Sequence, residues 1–292
     1  MSEPAVVSYT LELDFPEDIK DIALKHGEDP NITCQLMQQL KDMVYEKGDC
    51  NPHRMDDEFL IKFLRARFWK VENAYKLLCR YTKLREDNNQ WIDKVNPLKL
   101  ALLGDENIIS TTPYRDQTGK RMLIYRFGNW KPSKVPIDEL FKATLVVLDI
   151  GIMEPRAQVL GGVGIFDLEG LSMNHTFHMS PSVAQKMIAM MVTSLPYRTN
   201  AIHIVNQGWV FDVAFAFFKP FLNDAMRSRL FLHGTNYKSL HKHINPENLP
   251  KKYGGLMEES SYKPWIEHCR KNEQVIRNLE LHGYLVEEIN EE

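Results

Sequence analysis

The chain has 292 residues, a formal net charge of −3 and 43% apolar residues, a composition that fits one large globular domain or two ordinary ones. The nearly balanced charge removes any global electrostatic reason to bind nucleic acid, so basic residues count only where they cluster. No stretch supplies the about 20 consecutive apolar residues of a membrane span. The first residues lack the basic start and apolar core of a signal peptide, and Cys34, Cys50, Cys79 and Cys269 form neither a Cys-x-x-Cys unit nor a disulfide framework. A reducing, cytosolic location is expected.

Up to about residue 93 the sequence reads as helical. Asp29-Pro-Asn-Ile-Thr33 is a start signal, Leu36, Met37, Leu40, Met43 and Val44 recur at helical spacing, and Gly48 stops that helix. Asp56-Asp57-Glu58 places acidic residues at the positive end of a second helix, with Phe59, Leu60, Phe63 and Leu64 as its apolar stripe. A third helix runs from Val71 to Arg85 with Ala74, Leu77, Leu78 and Tyr81 inward. Three short helices bury little alone, so this bundle is expected to pack on the larger part.

Beyond residue 93 strands and helices alternate. Strands are expected at Met122–Phe127 after the turn Asp116-Gln-Thr-Gly119, at Gly164–Leu168, Ala201–Val205 and Leu230–His233. Helices fall between them, at Pro136 to about Pro155 with Leu140, Phe141, Thr144, Leu145 and Leu148 inward, and at Pro181–Ser194, which is rich in methionine. This order argues an α/β fold with a mostly parallel sheet. From Tyr262 onward the chain reads as a charged helical tail with a frayed acidic end. The expected divisions are 1–93, 94–257 and 258–292.

Residues 208–222, Gly-Trp-Val-Phe-Asp-Val-Ala-Phe-Ala-Phe-Phe-Lys-Pro-Phe-Leu, carry the most information. As a helix the segment has two apolar stripes: Phe211, Ala214, Phe218 and Leu222, and beside them Val210, Val213, Phe217 and Phe221. Such a helix is either buried core or a lid over an apolar pocket whose outer face meets lipid. Met173, Met179, Met187, Met190 and Met191 add flexible apolar side chains that adapt to an irregular guest, or fill an ordinary core.

Signatures of catalysis are missing. Gly161-Gly162-Val163-Gly164 precedes a strand, whereas a dinucleotide loop follows one and opens a helix, so it reads as a tight loop. There is no Gly-x-Ser-x-Gly elbow. Asp167 and Glu169 end a strand but have no obvious nucleophile near them in sequence, which favours a structural role. The pairs His175/His178 and His241/His243 have usable metal spacings without a completing Glu or Cys, and His233 reads as a core histidine. No metal or cofactor is expected.

Five motifs remain: Phe63-Leu-Arg-Ala-Arg67, Phe166-Asp-Leu-Glu-Gly170, Ser180-Pro-Ser-Val-Ala184, Lys219-Pro-Phe-Leu222 and Leu249-Pro-Lys-Lys-Tyr-Gly-Gly255. In their order and spacing they resemble the CRAL-TRIO lipid-binding family over about residues 10 to 257, and most closely its branch of α-tocopherol transfer protein, cellular retinaldehyde-binding protein and the clavesins. The resemblance implies an N-terminal three-helix region and a lipid pocket closed by a mobile helical gate, which residues 208–222 match. It implies pocket positions at Phe141, Thr144, Leu148, Phe166, Asn174, Phe177, Met187, Met190 and Met191, with Phe211, Ala214, Phe218 and Leu222 on the inner face of the gate. Tyr125, Thr144 and Asn174 are candidates for choosing among ligands by polar contact.

The same resemblance places Met173, Val210 and Phe217, with Phe177 nearby, at the membrane. It places Arg67, Arg198 and Arg229 in a phosphoinositide-binding cleft, where Ala225 stands in place of a lysine and Arg227 is a basic neighbour. Leu148 and Asn174 replace serines and Leu171 a tryptophan, so the implied cargo is tocopherol-, retinoid- or other isoprenoid-like rather than tocopherol alone, with phospholipids also open. The implied protein is a monomeric cytoplasmic lipid carrier, not an enzyme, that docks peripherally on endosomal or other intracellular membranes bearing phosphoinositides. A phosphoinositide sensor or scaffold regulated by a bound lipid is the alternative.

Overall fold

The computed structural model describes residues 7–100, 107–259 and 262–286. The acidic end at 287–292 lies outside the described residues, as do 1–6, 101–106 and 260–261. The N-terminal part contains α1 (Lys20–Lys25), α2 (Thr33–Lys47), α3 (Asp57–Ala66) and α4 (Val71–Asp87). The Asp56 side chain accepts from the Phe59 amide and caps α3, and Gly48 ends α2 at φ 64°, in the left-handed region that favours glycine. Every residue of the expected stripes of α3 and α4 is buried.

Five strands form one sheet in the order β1 (Ile109–Arg115), β2 (Arg121–Arg126), β3 (Gly162–Asp167), β4 (Thr199–Val205) and β5 (Leu230–Gly234). The β1–β2 pair is an antiparallel hairpin and the other three pairs are parallel. Strand β1 carries Pro113, which cannot donate to a ladder and confines the strand to an edge. Between strands lie α5 (Ile137–Gly151), α6 (Pro155–Leu160), α7 (Met173–Thr176), α8 (Pro181–Ile188), α9 (Trp209–Ala216) and α10 (Asp224–Arg227). After β5 come α11 (Tyr237–Leu240), α12 (Lys263–Arg270) and α13 (Glu273–Leu281). This is the α/β architecture with a mostly parallel sheet and flanking helices that strand–helix alternation implied.

Side-chain alternation divides the sheet. Met122, Ile124, Val163, Ile165 and Val205 point to one face, where Leu240, Ile244, Leu249 and Tyr253 fill the space against them. Their neighbours Tyr125, Phe166, Ile202, Ile204 and Leu230 point to the other face, toward α5, α8 and α9. A single buried cluster runs from Leu11 through α3, α4 and α5 to Tyr284, so helical segments at both ends of the chain share a core with the sheet. Trp91 fastens one end to the other face: its ring stacks on Phe141 at 4.8 Å between centroids and its Nε1 donates to Asp138 at 3.2 Å.

Behind the sheet, His203 Nδ1 lies 3.0 Å from His233 Nε2, and the ring of His243 sits 5.1 Å from that of His203. Burial, then the neighbouring histidines, pushes the His203 imidazole down to about 3. The unfolded chain therefore takes up a proton near pH 6.5 that the folded chain refuses. The stability held by this group is complete above that pH and is lost as pH falls toward 3; His53, also pushed down to about 3 by burial and Arg85, acts in the same sense. Denaturant titrations from about pH 7.5 to about pH 5.5 should show falling stability, and His203→Gln should reduce that slope without abolishing it, since His53 keeps its share. An unchanged slope in the variant would contradict the assignment.

Candidate functional site: an apolar cavity, its cover and an arginine cluster

The wider of the two cavities offers about 820 Å³ free of protein atoms, the open solvent at its mouth included. All of its lining residues are apolar. The sheet contributes Phe166, Ile202, Ile204 and Leu230, with Phe127 just beyond β2; α8 and the turn after it contribute Met187, Ile188, Met191 and Val192. Helix α8 starts at a defined point because Ser180 Oγ accepts from the Val183 amide and Pro181 occupies the first turn. Residues Ala189–Thr193 then continue as a π-helical turn, which widens the helix where Met190 and Met191 face inward.

A second space of about 330 Å³ adjoins the first, and Phe127, Met187 and Met191 line both. Tyr125, Phe141, Thr144 and Met190 line the smaller one. Tyr125 Oη donates to Thr144 Oγ1 at 3.0 Å, so the polar atoms of this end satisfy each other. Burial pushes the Tyr125 phenol upward and keeps it a neutral donor.

The structure thus brings together Tyr125, Phe141, Thr144, Phe166, Met187, Met190, Met191, Phe211, Ala214, Phe218 and Leu222. Leu148 does not line either space; it is buried in the core packing of α5. Asn174 and Phe177 also stand apart, and Phe177 is 78% exposed. Helix α7 is a single turn whose inward positions are taken by His175 and Thr176, with Ser172 and His175 capping each other's backbone, so Asn174 and Phe177 are turned to solvent.

The cover is shorter than residues 208–222. Helix α9 ends at Ala216, and a 3-10 turn at Lys219–Phe221 follows around Pro220, which cannot continue an α-helix. Phe211, Ala214, Phe218 and Leu222 still reach the cavity, joined by Phe215, whose ring stacks on that of Phe211 at 5.0 Å. Phe215 was legible as the residue four on from Phe211 but was not placed in either stripe.

The outer face differs from its expected position. Val210 is buried, Met173 and Phe217 are half-buried, and the exposed apolar side chains are Trp209 at 70% and Val213 at 40%. Helix α9 packs against α7 as well as over the cavity, so one flank that is apolar in sequence is covered by protein.

Arg67, Arg198 and Arg229 lie close enough to act on one another's charge, and Arg80 of α4 acts on Arg67. Burial, then Arg80 and Arg229, pushes the Arg67 guanidinium down to about 10; burial, then Arg67 and Arg229, does the same to Arg198. None of the four forms an ion pair among the described residues. Their hydrogen bonds go to carbonyls: Arg67 Nη1 to Ala66 at 3.0 Å, Arg80 Nε to Thr193 at 3.0 Å, Arg198 Nη1 to Arg65 at 2.6 Å and Arg229 Nη1 to Thr199 at 3.3 Å. Like charges held together without carboxylates form a site ready for an anion.

Two local features set this geometry. Phe68 and Trp69 both have positive φ, 54° and 58°, in the tight turn between α3 and α4, and the Arg198 guanidinium lies 4.5 Å from the Phe68 ring centroid. At Gly161, φ is 76° and a Cβ would meet the Arg198 carbonyl at 2.3 Å, so the glycine pair is a tight entry to β3 that lets the Arg198 backbone approach. Arg227 is exposed and stands outside the cluster, donating to the Lys219 carbonyl at 3.4 Å.

Asp167 and the histidine pairs are engaged elsewhere. Burial pushes the Asp167 carboxyl up, but hydrogen bonds from Lys252 and Asn206 outweigh it and hold the group below its usual range. With Tyr253 Oη donating at 3.0 Å, Asp167 ties the end of β3 to the Leu249–Gly255 motif. His175 is held by Ser172 and the Trp130 carbonyl, and no cluster among the described residues could hold a metal ion.

An α/β unit that keeps one sheet face open as a hydrocarbon-lined chamber defines a lipid-binding class of protein. The chain belongs to the CRAL-TRIO family: the CRAL/TRIO domain matches residues 105–255 and the CRAL/TRIO N-terminal domain residues 34–80. It is 32% identical to mouse Clavesin-1 over 254 residues, covering 86% of this chain and 71% of the relative. It is 33% identical to the mouse α-tocopherol transfer protein-like protein over 238 residues, covering 82% and 69%. The solved structure of Sfh5 superposes with a TM-score of 0.50 at 16% identity, covering 81% of this chain and 91% of that one, which supports the fold.

Ala214 tests the cavity directly. A tryptophan there extends into open space rather than into packed core. Ala214→Trp should lower uptake of an environment-sensitive hydrophobic probe at least about tenfold, with the melting temperature within a few degrees of the parent. Unchanged uptake, or loss of folding, would mean that Ala214 faces packed protein.

Proposed function

We propose that this protein is a lipid carrier that encloses one hydrophobic molecule and exchanges it at membranes bearing phosphoinositides. The observation that carries the reading is the wholly apolar cavity beneath a short helix whose outer side exposes Trp209 and Val213. Cargo buried there gains about 25 cal/mol per Å² of apolar surface, and the Tyr125–Thr144 pair can exchange its internal hydrogen bond for one to a hydroxyl or carbonyl of the guest. Tocopherol-, retinoid- and other isoprenoid-like molecules fit that description: mostly hydrocarbon, with one small polar end.

Membrane contact would combine two surfaces. Trp209, Val213 and Phe177 are exposed apolar side chains suited to the acyl boundary. The Arg67, Arg80, Arg198 and Arg229 cluster would take the multiply charged headgroup through charge-assisted hydrogen bonds. Contact at both would favour lifting α9 and the turn after it, opening the path past Leu222 and Leu230. The protein would then associate peripherally with endosomal or other intracellular membranes, without enzymatic turnover.

Net transfer of a fluorescent isoprenoid between vesicles should rise when acceptor vesicles carry a phosphoinositide bisphosphate. Binding without transfer would instead indicate a lipid-regulated sensor. Trp209→Asp with Val213→Asp should leave probe uptake nearly unchanged but lower vesicle flotation and transfer several-fold, since aspartate at the acyl boundary is costly and repels anionic lipid. Intact flotation would remove this face from the membrane contact.

Arg80→Ala with Arg229→Ala should reduce binding to bisphosphate vesicles more than to vesicles matched in charge by phosphatidylserine. Equal loss on both would reduce the cluster to nonspecific attraction.

A further inference from the structure

The fold joins two cysteines that lie 29 positions apart. Cys50 sits in the connection between α2 and α3, Cys79 is on α4, and their sulfur atoms are 3.0 Å apart. Both are partly accessible and both are free, whereas Cys269 is buried and Cys34 is exposed. A disulfide has its sulfurs about 2.05 Å apart, so closure needs a movement of about 1 Å shared between a loop and a helix surface. The loop side of the pair is held in place: Tyr75, one turn before Cys79 on α4, donates its hydroxyl to Asp49 at 2.8 Å. The two thiols therefore meet because the surrounding packing brings them together.

We propose that Cys50 and Cys79 form a reversible dithiol–disulfide site that reacts with small-molecule disulfides of the glutathione type. In the first step the deprotonated Cys79 sulfur attacks one sulfur of the oxidant. The S–S bond of the oxidant breaks, one small thiolate leaves and takes up a proton, and Cys79 is held as a mixed disulfide. In the second step Cys50 loses its proton and attacks Cys79 Sγ, expelling the second small thiolate, which is protonated in turn. Two protein thiols are oxidised by two electrons and one oxidant disulfide is reduced to two thiols.

The order follows from the surroundings. Burial, then the hydrogen bond with Cys79, pushes the Cys50 thiol up to about 12, which makes it a poor first nucleophile. As the second reactant it is favoured by proximity, because its target is already beside it. The closed form links the α2–α3 connection to α4, the helix that also carries Arg80, and restricts the unfolded chain by a loop of 29 residues.

The test uses the folded full-length chain equilibrated with mixtures of reduced and oxidised glutathione, quenched with acid, alkylated and mapped by mass spectrometry. The expected result is a species that has lost two hydrogens, with the peptides of Cys50 and Cys79 joined, restored by dithiothreitol and unaffected by Cys34→Ser. Its melting temperature should exceed that of the reduced form by several degrees. Cys50→Ser should stop the reaction at glutathione carried on Cys79. Glutathione adducts or intermolecular links confined to Cys34, with Cys50 and Cys79 alkylated in full, would overturn the proposal. So would a Cys50–Cys79 link that appears only after denaturation.

Discussion

A sheet has two faces, and each must be covered. Here strand alternation gives them different fates. The face of Met122, Ile124, Val163, Ile165 and Val205 is closed by packed side chains from the C-terminal part of the fold. The face of Phe166, Ile202, Ile204 and Leu230 is roofed at a distance by α8, α9 and the turns after them, which leaves a hydrocarbon-lined space. An empty apolar cavity forfeits dispersion contacts along its whole lining. A hydrophobic guest in this space would restore those contacts.

The cover illustrates the consequence. Helix α9 is only two turns long and is followed at once by a 3-10 turn at Pro220, so little internal hydrogen bonding holds it. Its inner phenylalanines have the cavity as their partner, and its outer Trp209 and Val213 face solvent. Under the proposed function, an element apolar on both sides and this short would exchange between protein and bilayer surroundings. Four arginines each donate to a different backbone carbonyl and to no carboxylate among the described residues, and under the proposed function their charge would meet an outside anion. The strained Phe68–Trp69 turn and the close backbone approach at Gly161 hold that arrangement, and both belong to the fold rather than to any single helix.

Local signals made most of this legible. Gly48 and Asp56 mark helix ends that the structure places within a residue of expectation, and the stripes of α3, α4 and α5 are buried as their periodicity implied. Strand β1 was not among the expected strands; Pro113 is unusual in a strand and is tolerated at the edge, while the β-branched Thr111 and Thr112 suit one. The cavity-facing stripe of residues 208–222 was legible from spacing, but of the outer stripe Val213 is exposed while Val210 is buried, since the helix stops at Ala216 and α7 packs against it. Leu148, Asn174 and Phe177 illustrate a different limit. Correspondence with a family assigns positions, while burial in α5 and the single-turn geometry of α7 decide where those side chains point. Arg80 has no sequence signal beyond its charge, because its membership in the cluster depends on how α4 meets the turn after α8.

Under the proposed function, a hydrophobic guest completes the open face of the sheet. Native mass spectrometry of the protein purified from eukaryotic cells without detergent, followed by identification of whatever is released, addresses it most directly. The expected result is one molecule per chain, rich in hydrocarbon and bearing one small polar end, released on denaturation. A chain that is always empty, and that also takes up no lipid when mixed with vesicles, would contradict it.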